Sequence, residues 1–242
     1  MKVIAIIQAR MGSTRLPGKV LVDIYGHAML FHVARRTGAA ETLDKVVIAT
    51  TTEPADDAIV AWCEEHRVSC FRGNEMDVLD RYYRAACQYN AEAVVRITSD
   101  CPMIDPLVVD KTVSAFLSER PDYASNTQVR TYPRGLDTEV MSFAALERTW
   151  TEARHPYQRT HVTPYIYENP GLFKILDVTA ETDHSAYRWT VDTWEDLEFI
   201  RAVYSRLRDE KFSFSDALNL MKREPELAEI NQSVQQKALQ EG

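Results

Sequence analysis

The sequence predicts an α/β fold in which helices cover both faces of a mostly parallel mixed sheet, a three-layer α/β/α arrangement. Three observations predict it. Short apolar runs recur at residues 3–7, 46–49, 68–71 and 93–97. Stretches of helical period separate them. The strands read as continuous apolar runs, the mark of strands buried on both faces of a parallel sheet.

The elements follow in order. Residues 3–7 form the first strand, and 29–37 lie within a helix. A strand at 46–49 leads to a helix opening at Pro54 and running to about residue 66. After the strand at 68–71, residues 77–89 form a helix with Val78, Tyr82, Ala85 and Ala86 on one side. The strand at 93–97 precedes a helix beginning near Pro106, which Asp105 is well placed to cap. Past residue 120 the rhythm changes. Tyr132-Pro133-Arg134-Gly135 is a turn, residues 136–143 alternate as a strand, and 173–178 and 188–191 read as further strands. A helix from Trp194 to about residue 208 closes the domain. The pattern predicts one domain over residues 1–223, with an inserted substrate or dimer arm at about 125–185. Residues 224–242 are a polar tail, read as an exposed helix or a partly ordered segment.

Bulk properties narrow the partners. A formal net charge of −8 argues against a general nucleic-acid binder, which needs a basic face. No stretch approaches the roughly 20 apolar residues that span a bilayer, and the short first apolar run suits a strand better than a signal peptide. Cys63, Cys70, Cys87 and Cys101 form no Cys-x-x-Cys pair, so they read as core thiols of a cytoplasmic protein.

The chemistry concentrates after the first strand, in Gln8-Ala9-Arg10-Met11-Gly12-Ser13-Thr14-Arg15-Leu16-Pro17-Gly18-Lys19. Two arginines, a lysine, two glycines and small hydroxyls stand at the carboxyl edge of a parallel sheet, where ligands bind in open α/β folds. Glycine admits backbone N–H groups to phosphate oxygens while the cations neutralise them. The loop is not a Walker A sequence: five residues separate Gly12 from Gly18, and Val20 follows Lys19. The absence of a Gly-x-Gly-x-x-Gly excludes a dinucleotide fingerprint. Asp100 follows the strand at 93–97 and reaches the same edge. Asp192 ends the strand at 188–191 and would face it, so the two supply the hard oxygen ligands that magnesium prefers. Asp192 or Thr193 could instead cap the helix at Trp194; if Thr193 caps, Asp192 is free for metal.

The run Ser13-Thr14-Arg15-Leu16-Pro17-Gly18-Lys19 resembles the signature loop of the CMP-Kdo synthetases and related cytidylyltransferases. The wider chain is similar to the spore coat polysaccharide biosynthesis protein F branch of the acylneuraminate cytidylyltransferase superfamily. The likeness continues through Arg72-Gly73-Asn74, Asp77-Val78-Leu79-Asp80-Arg81, Arg96-Ile97-Thr98-Ser99-Asp100-Cys101-Pro102, Gly135-Leu136-Asp137-Thr138-Glu139, His161-Val162-Thr163-Pro164 and Thr190-Val191-Asp192-Thr193-Trp194. The resemblance implies a Rossmann-like nucleotide-diphospho-sugar transferase fold, CTP as substrate, Mg2+ as cofactor and a homodimer.

It also distributes roles. Ala9, Arg10, Gly12, Ser13, Arg15, Lys19, Arg72 and Asp100 would contact the nucleotide. Arg10, Arg15, Lys19 and Asp100 would act at the reacting phosphate, with Asp100 and Asp192 as metal ligands. Arg134, Asp137, Glu139 and His161 would meet the acceptor, Arg134 through a carboxylate and Glu139 through sugar hydroxyls. By spacing alone, and not by the resemblance, Asp77 and Arg81 pair one helical turn apart. The reaction implied is transfer of CMP from CTP to an acidic sugar of nonulosonic-acid type, releasing pyrophosphate, in surface polysaccharide biosynthesis. Where the Kdo synthetases carry Gln-Gly-Asp-Glu-Pro, this chain has Thr98-Ser99-Asp100-Cys101-Pro102, which keeps the aspartate and leaves the acceptor open. Two alternatives stand beside it. One is a glycosyltransferase of the related fold, whose Asp-x-Asp motif is absent here. The other is a non-catalytic nucleotide-binding protein.

Overall fold

The computed structural model describes residues 1–236. Its elements are β1 (Val3–Gln8), β2 (Asp23–Ile24), β3 (His27–Ala28), α1 (Met29–Thr37), β4 (Lys45–Thr51), α2 (Asp57–Glu65), β5 (Ser69–Gly73), α3 (Val78–Tyr89), β6 (Ala93–Thr98) and α4 (Pro106–Glu119). They continue with β7 (Tyr123–Ser125), β8 (Glu139–Ser142), α5 (Phe143–Glu152), α6 (Pro156–His161), α7 (Pro164–Tyr167), β9 (Ile175–Asp177), α8 (Trp194–Leu207), α9 (Phe214–Arg223) and α10 (Glu226–Glu229). Seven strands form the main sheet in the order β5-β4-β1-β6-β8-β7-β9. β5, β4, β1 and β6 are mutually parallel, whereas β8 runs antiparallel to both β6 and β7. This is the mixed, mostly parallel sheet expected.

The period-two alternation of strand side chains builds two cores. Ala5 and Ile7 of β1 and Val95 of β6 pack under α1, α2 and α4 with Leu30, Trp62 and Val113. Ile4 and Ile6 turn the other way with Val94 and meet Leu79, Tyr82 and Leu146 of α3 and α5. A third cluster joins Leu16 of the first loop to Trp189, Val191 and the helices α8 and α9. It fastens the basic loop to the chain around Asp192.

Several expectations need correction. Residues 188–191 are no strand: Arg188 makes only an isolated bridge with Arg134, and Val191 N–H then donates to Asp100 C=O at 2.8 Å. Gly135 forces this crossing. Its φ is +111°, and a Cβ there would lie 2.5 Å from the Trp189 carbonyl carbon, so only glycine admits the close approach. The alternating stretch at 136–143 yields only β8, because Ser142 accepts from Ala145 N–H and starts α5. Within residues 125–185, β8 and β9 join the main sheet. His161 ends α6, which Pro156 and the reciprocal His155–Gln158 cap open. Asp77 caps α3 through Asp80 N–H and pairs with Arg159 at 2.7 Å, not with Arg81. The described part of the polar tail, residues 224–236, folds back. Leu227 and Asn231 are each 2% exposed, against α8 and Arg188. Residues 237–242 of that tail lie outside the described residues.

The basic loop rests on Asp56. Its carboxylate accepts Met11 N–H at 2.7 Å, Thr51 N–H at 3.1 Å and the hydroxyls of Thr50 and Thr51. Burial alone would raise the Asp56 pKa; these donors outweigh it and hold it below the ordinary carboxylate value. Its contribution is therefore present above pH 3.8, the unfolded value, and is lost as pH falls through the lower folded value. Asp56→Ala should cost about 2–4 kcal/mol at pH 7 by denaturant unfolding, and the gap to wild type should narrow below that window.

Candidate active site

β1 and β6 are adjacent and parallel, with Gln8 opposite Thr98, so the loop after β1 and the loop carrying Asp100 emerge side by side. The loop after β1 reverses at Gly18, whose φ is +69°, and a single helical turn at Lys19–Leu21 carries Lys19 back over the edge. There Lys19 Nζ donates to Asp100 Oδ2 at 3.0 Å, to Asp192 Oδ1 at 2.9 Å and to Val191 C=O at 2.7 Å. Arg15 adds a contact to Asp192 Oδ2 at 3.1 Å. Thr98 Oγ1 holds Asp100 Oδ1 at 2.6 Å. The convergence expected of Arg15, Lys19, Asp100 and Asp192 is what the fold produces. Thr193 makes the helix cap, accepting from Asp196 N–H, and so leaves the Asp192 side chain to the cleft.

The electrostatics follow from burial and pairing. Burial pulls the Lys19 pKa down, but Asp100 and Asp192 outweigh it and hold the ammonium above its ordinary value. Burial likewise pushes Asp192 up, and Lys19, Arg15 and Arg188 overcome this to keep it ionised, below its ordinary range. Both carboxylates thus sit on one cation in a half-buried cleft. Among the described residues no group of three or more metal-type side chains stands together. Two converging hard carboxylates nevertheless fit a magnesium ion, which usually takes one or two of them and completes its shell from water and phosphate.

These residues line a cleft of about 600 Å³. Ala9, Arg10, Gly12 and Ser13 line it beside Arg15 and Lys19, and Arg134, Asp137 and His161 line its far wall. Arg10 is half-exposed and lies 3.8 Å from Glu75. Asp137 is gripped by Arg130 through two contacts at 2.5 and 3.0 Å. Burial and the neighbouring Arg130 hold the Arg134 pKa below the ordinary arginine value.

Two expected site residues are not brought into the cleft. Arg72, on the outermost strand β5, is turned to Thr51 C=O, Glu53 C=O and Asp57. Its head is held by the end of β4, the loop after it and the start of α2. Glu139 is 4% exposed and fully engaged by Arg96, by Tyr123 Oη at 2.5 Å and by Thr163 Oγ1 at 2.7 Å. A carboxylate so held braces β6, β7 and β8, and Glu139 is not among the residues that line the cleft.

The cleft also contains residues that sequence reasoning missed. Gln8, Arg81 and Arg96 line it, and Gln8 Oε1, Arg81 Nε and Arg96 Nε are buried without hydrogen-bond partners. Such atoms are rare in folded proteins, and in a cleft they are donors and acceptors open to water or a ligand. Arg81 is the sharpest case. It is 1% exposed, its stem lies over Gly73, and Nη1 donates to Asn74 C=O at 3.0 Å. Burial, with Arg10 nearby, pulls its pKa below the arginine norm. Strand register could have flagged Gln8, which continues the Ile4–Ile6 face toward α3. Arg81 gave no such signal, because the expected pairing with Asp77 hid it.

The family profile described as Cytidylyltransferase matches residues 4–239. The chain is 38% identical to an uncharacterised protein of Methanocaldococcus jannaschii over all of this chain and 99% of that one. It is 33% identical to the spore coat polysaccharide biosynthesis protein SpsF of Bacillus subtilis, covering 93% of this chain and 96% of that protein. The structure of a cytidylyltransferase from Leptospira borgpetersenii superposes with a TM-score of 0.92 at 37% identity, over 98% and 100% of the two chains. No described helix is long and apolar enough to cross a membrane. The chain belongs to the cytidylyltransferase family, in its SpsF-like branch, and is a CTP-dependent nucleotidyltransferase.

Proposed function

We propose that the protein transfers CMP from CTP to an acidic sugar of nonulosonic-acid type, releasing pyrophosphate, in surface polysaccharide biosynthesis. The observation that carries the transfer is the Lys19 ammonium shared by Asp100 and Asp192, with Arg15 on the same carboxylate. A cleft with cations and carboxylates interleaved suits a polyphosphate accompanied by a metal. The acidic acceptor is supported by Arg81 and Arg134, two arginines whose heads face the same cleft and whose pKa burial depresses. Burial is the largest cause of both shifts and outweighs the nearby carboxylates, and an anionic ligand would offset that cost. The partial match to the 3-deoxy-manno-octulosonate cytidylyltransferase of Solibacter usitatus, 38% identical over 126 residues, points to a sugar acid as well. The polysaccharide role rests on the name of the Bacillus subtilis relative.

In the proposed reaction the acceptor hydroxyl attacks the α-phosphorus of CTP in line. The new O–P bond forms as the bond to the β-phosphate oxygen breaks, and the hydroxyl proton leaves to solvent. Lys19, Arg15 and Arg10 orient the triphosphate and balance the charge that grows on the leaving pyrophosphate. Asp100 and Asp192 would hold magnesium, which when bound neutralises phosphate oxygens and favours ionisation of the attacking hydroxyl. Arg81 or Arg134 would fix the acceptor through its carboxylate. No protein nucleophile is required.

Pyrophosphate release, measured with CTP and a panel of acidic and neutral sugars and confirmed by product mass, tests the reading directly. Turnover with a neutral sugar alone would refute an acidic acceptor. Asp100→Ala should lower kcat by about 100-fold or more with the fold intact, and Lys19→Ala should both raise KM for CTP and lower kcat. Near-wild-type rates in either variant would remove that residue from the site. Arg81→Gln should raise KM for the acceptor about tenfold while CTP affinity stays within about twofold; a loss of CTP affinity instead would give the guanidinium to the nucleotide.

A further inference from the structure

Asp192 is held from behind as well as from the cleft. Arg188, one helical turn earlier in sequence, donates Nη2 to Asp192 Oδ2 at 2.9 Å. The same guanidinium grips Asp196, with Nε to Oδ1 at 2.8 Å and Nη2 to Oδ2 at 3.0 Å. Asp196 is wholly buried, and its Oδ2 also accepts the Asp192 and Thr193 N–H groups at 2.9 and 3.1 Å. The end of the described chain completes the assembly. Asn231 Nδ2 donates to Arg188 C=O and to Asp196 Oδ1, each at 2.9 Å, and Gln236 Oε1 accepts from Arg188 Nη1 at 2.8 Å. Gln236 also lines the cleft, so the segment that looks like a polar tail in sequence reaches the edge of the site.

We infer that Arg188, set by Asp196 and by Asn231 and Gln236 of the C-terminal segment, is the positioning residue for Asp192. Three cations surround the Asp192 carboxylate: Lys19, Arg15 and Arg188. The first two belong to the loop that faces the phosphates, and a triphosphate competes with Asp192 for them. Arg188 is not among the residues that line the cleft and is balanced by Asp196, so its grip survives that competition. A carboxylate that kept no partner would rotate toward solvent or follow the lysine. With Arg188 in place, Asp192 stays aimed beside Asp100 while Lys19 and Arg15 engage substrate. Arg188 lies outside the cleft lining and acts through Asp192. The inference rests on the proposed role of Asp100 and Asp192 as the metal-side carboxylates.

The test is CTP binding by titration calorimetry, at saturating magnesium and again in EDTA, which needs no knowledge of the acceptor. Wild type should bind CTP at least about tenfold tighter with magnesium. Arg188→Met should lose most of that enhancement while its affinity in EDTA stays within about twofold of wild type. Arg188→Lys should restore part of it, because an ammonium can still hold Asp192 but cannot span Asp192 and Asp196 together. A general structural weakening would instead lower both affinities together. Gln236→Ala, altering only the outer end of the assembly, should keep the thermal midpoint and reduce the enhancement about threefold; it keeps the test open should Arg188→Met fail to fold. Full magnesium enhancement in folded Arg188→Met, or in Gln236→Ala, would overturn the inference. No enhancement in wild type would overturn the metal reading beneath it.

Discussion

One junction organises this molecule: an ammonium from the loop after β1, seated between carboxylates from two distant segments. Lys19, Asp100 and Asp192 are far apart in the chain, yet Nζ lies within 3.0 Å of both carboxylates. Each charge is partly removed from water, and each would be unfavourable there alone. Together they are satisfied, and the segments around them are stitched by backbone as well, Val191 N–H to Asp100 C=O. The glycine crossing at Gly135 and the apolar cluster joining Leu16 to Trp189 serve the same end. They bring the last loop of the domain against the first.

The sheet explains why this junction is also a binding site. Parallel β1 and β6 must discharge their loops at one edge, and the antiparallel β8 closes the far side. The edge is therefore a trough with a charged floor and walls from α3, α6 and the 134–137 turn. The charges are arranged in two groups. Around Asp100 and Asp192, cations and carboxylates balance one another, so a polyphosphate with its metal can exchange partners without stranding a charge. Toward α3, Arg81 is buried with its Nε unpartnered, an imbalance suited to an anion. The two groups share one cleft, as a reaction joining two anionic substrates requires.

Glu139 and Arg72 show how a polar residue near a site can be structural. Both look like ligand-binding groups from their types and neighbours. Glu139 accepts three hydrogen bonds in the interior, and Arg72 spends its donors on two carbonyls and Asp57. The hydrogen-bond partners of both belong to the framework, and neither side chain lines the cleft. Arg188 and Asn231 are the converse, framework residues whose hydrogen bonds end on a cleft carboxylate.

What the sequence by itself determined is local and periodic. The buried parallel strands, the helix at Met29–Thr37, the caps at Asp105 and Thr193, and the basic loop at a strand end all follow from short-range rules of burial, capping and turn chemistry. The meeting of Asp100 with Asp192 was expected as well, though through a strand at 188–191 that the fold replaces with an isolated bridge. What only the tertiary structure decided is which polar groups have partners. Whether Glu139 faces a brace or a ligand depends on Arg96, Tyr123 and Thr163, and whether Asp77 takes Arg81 or Arg159 depends on where α6 lands. The same holds for the last described residues, whose polar composition reads as solvent-exposed until Asn231 finds Arg188 and Asp196. Hydrogen bonds and ion pairs act over about 3 Å between residues separated by tens to hundreds of positions. No period in the sequence encodes that distance; only the folded chain sets it.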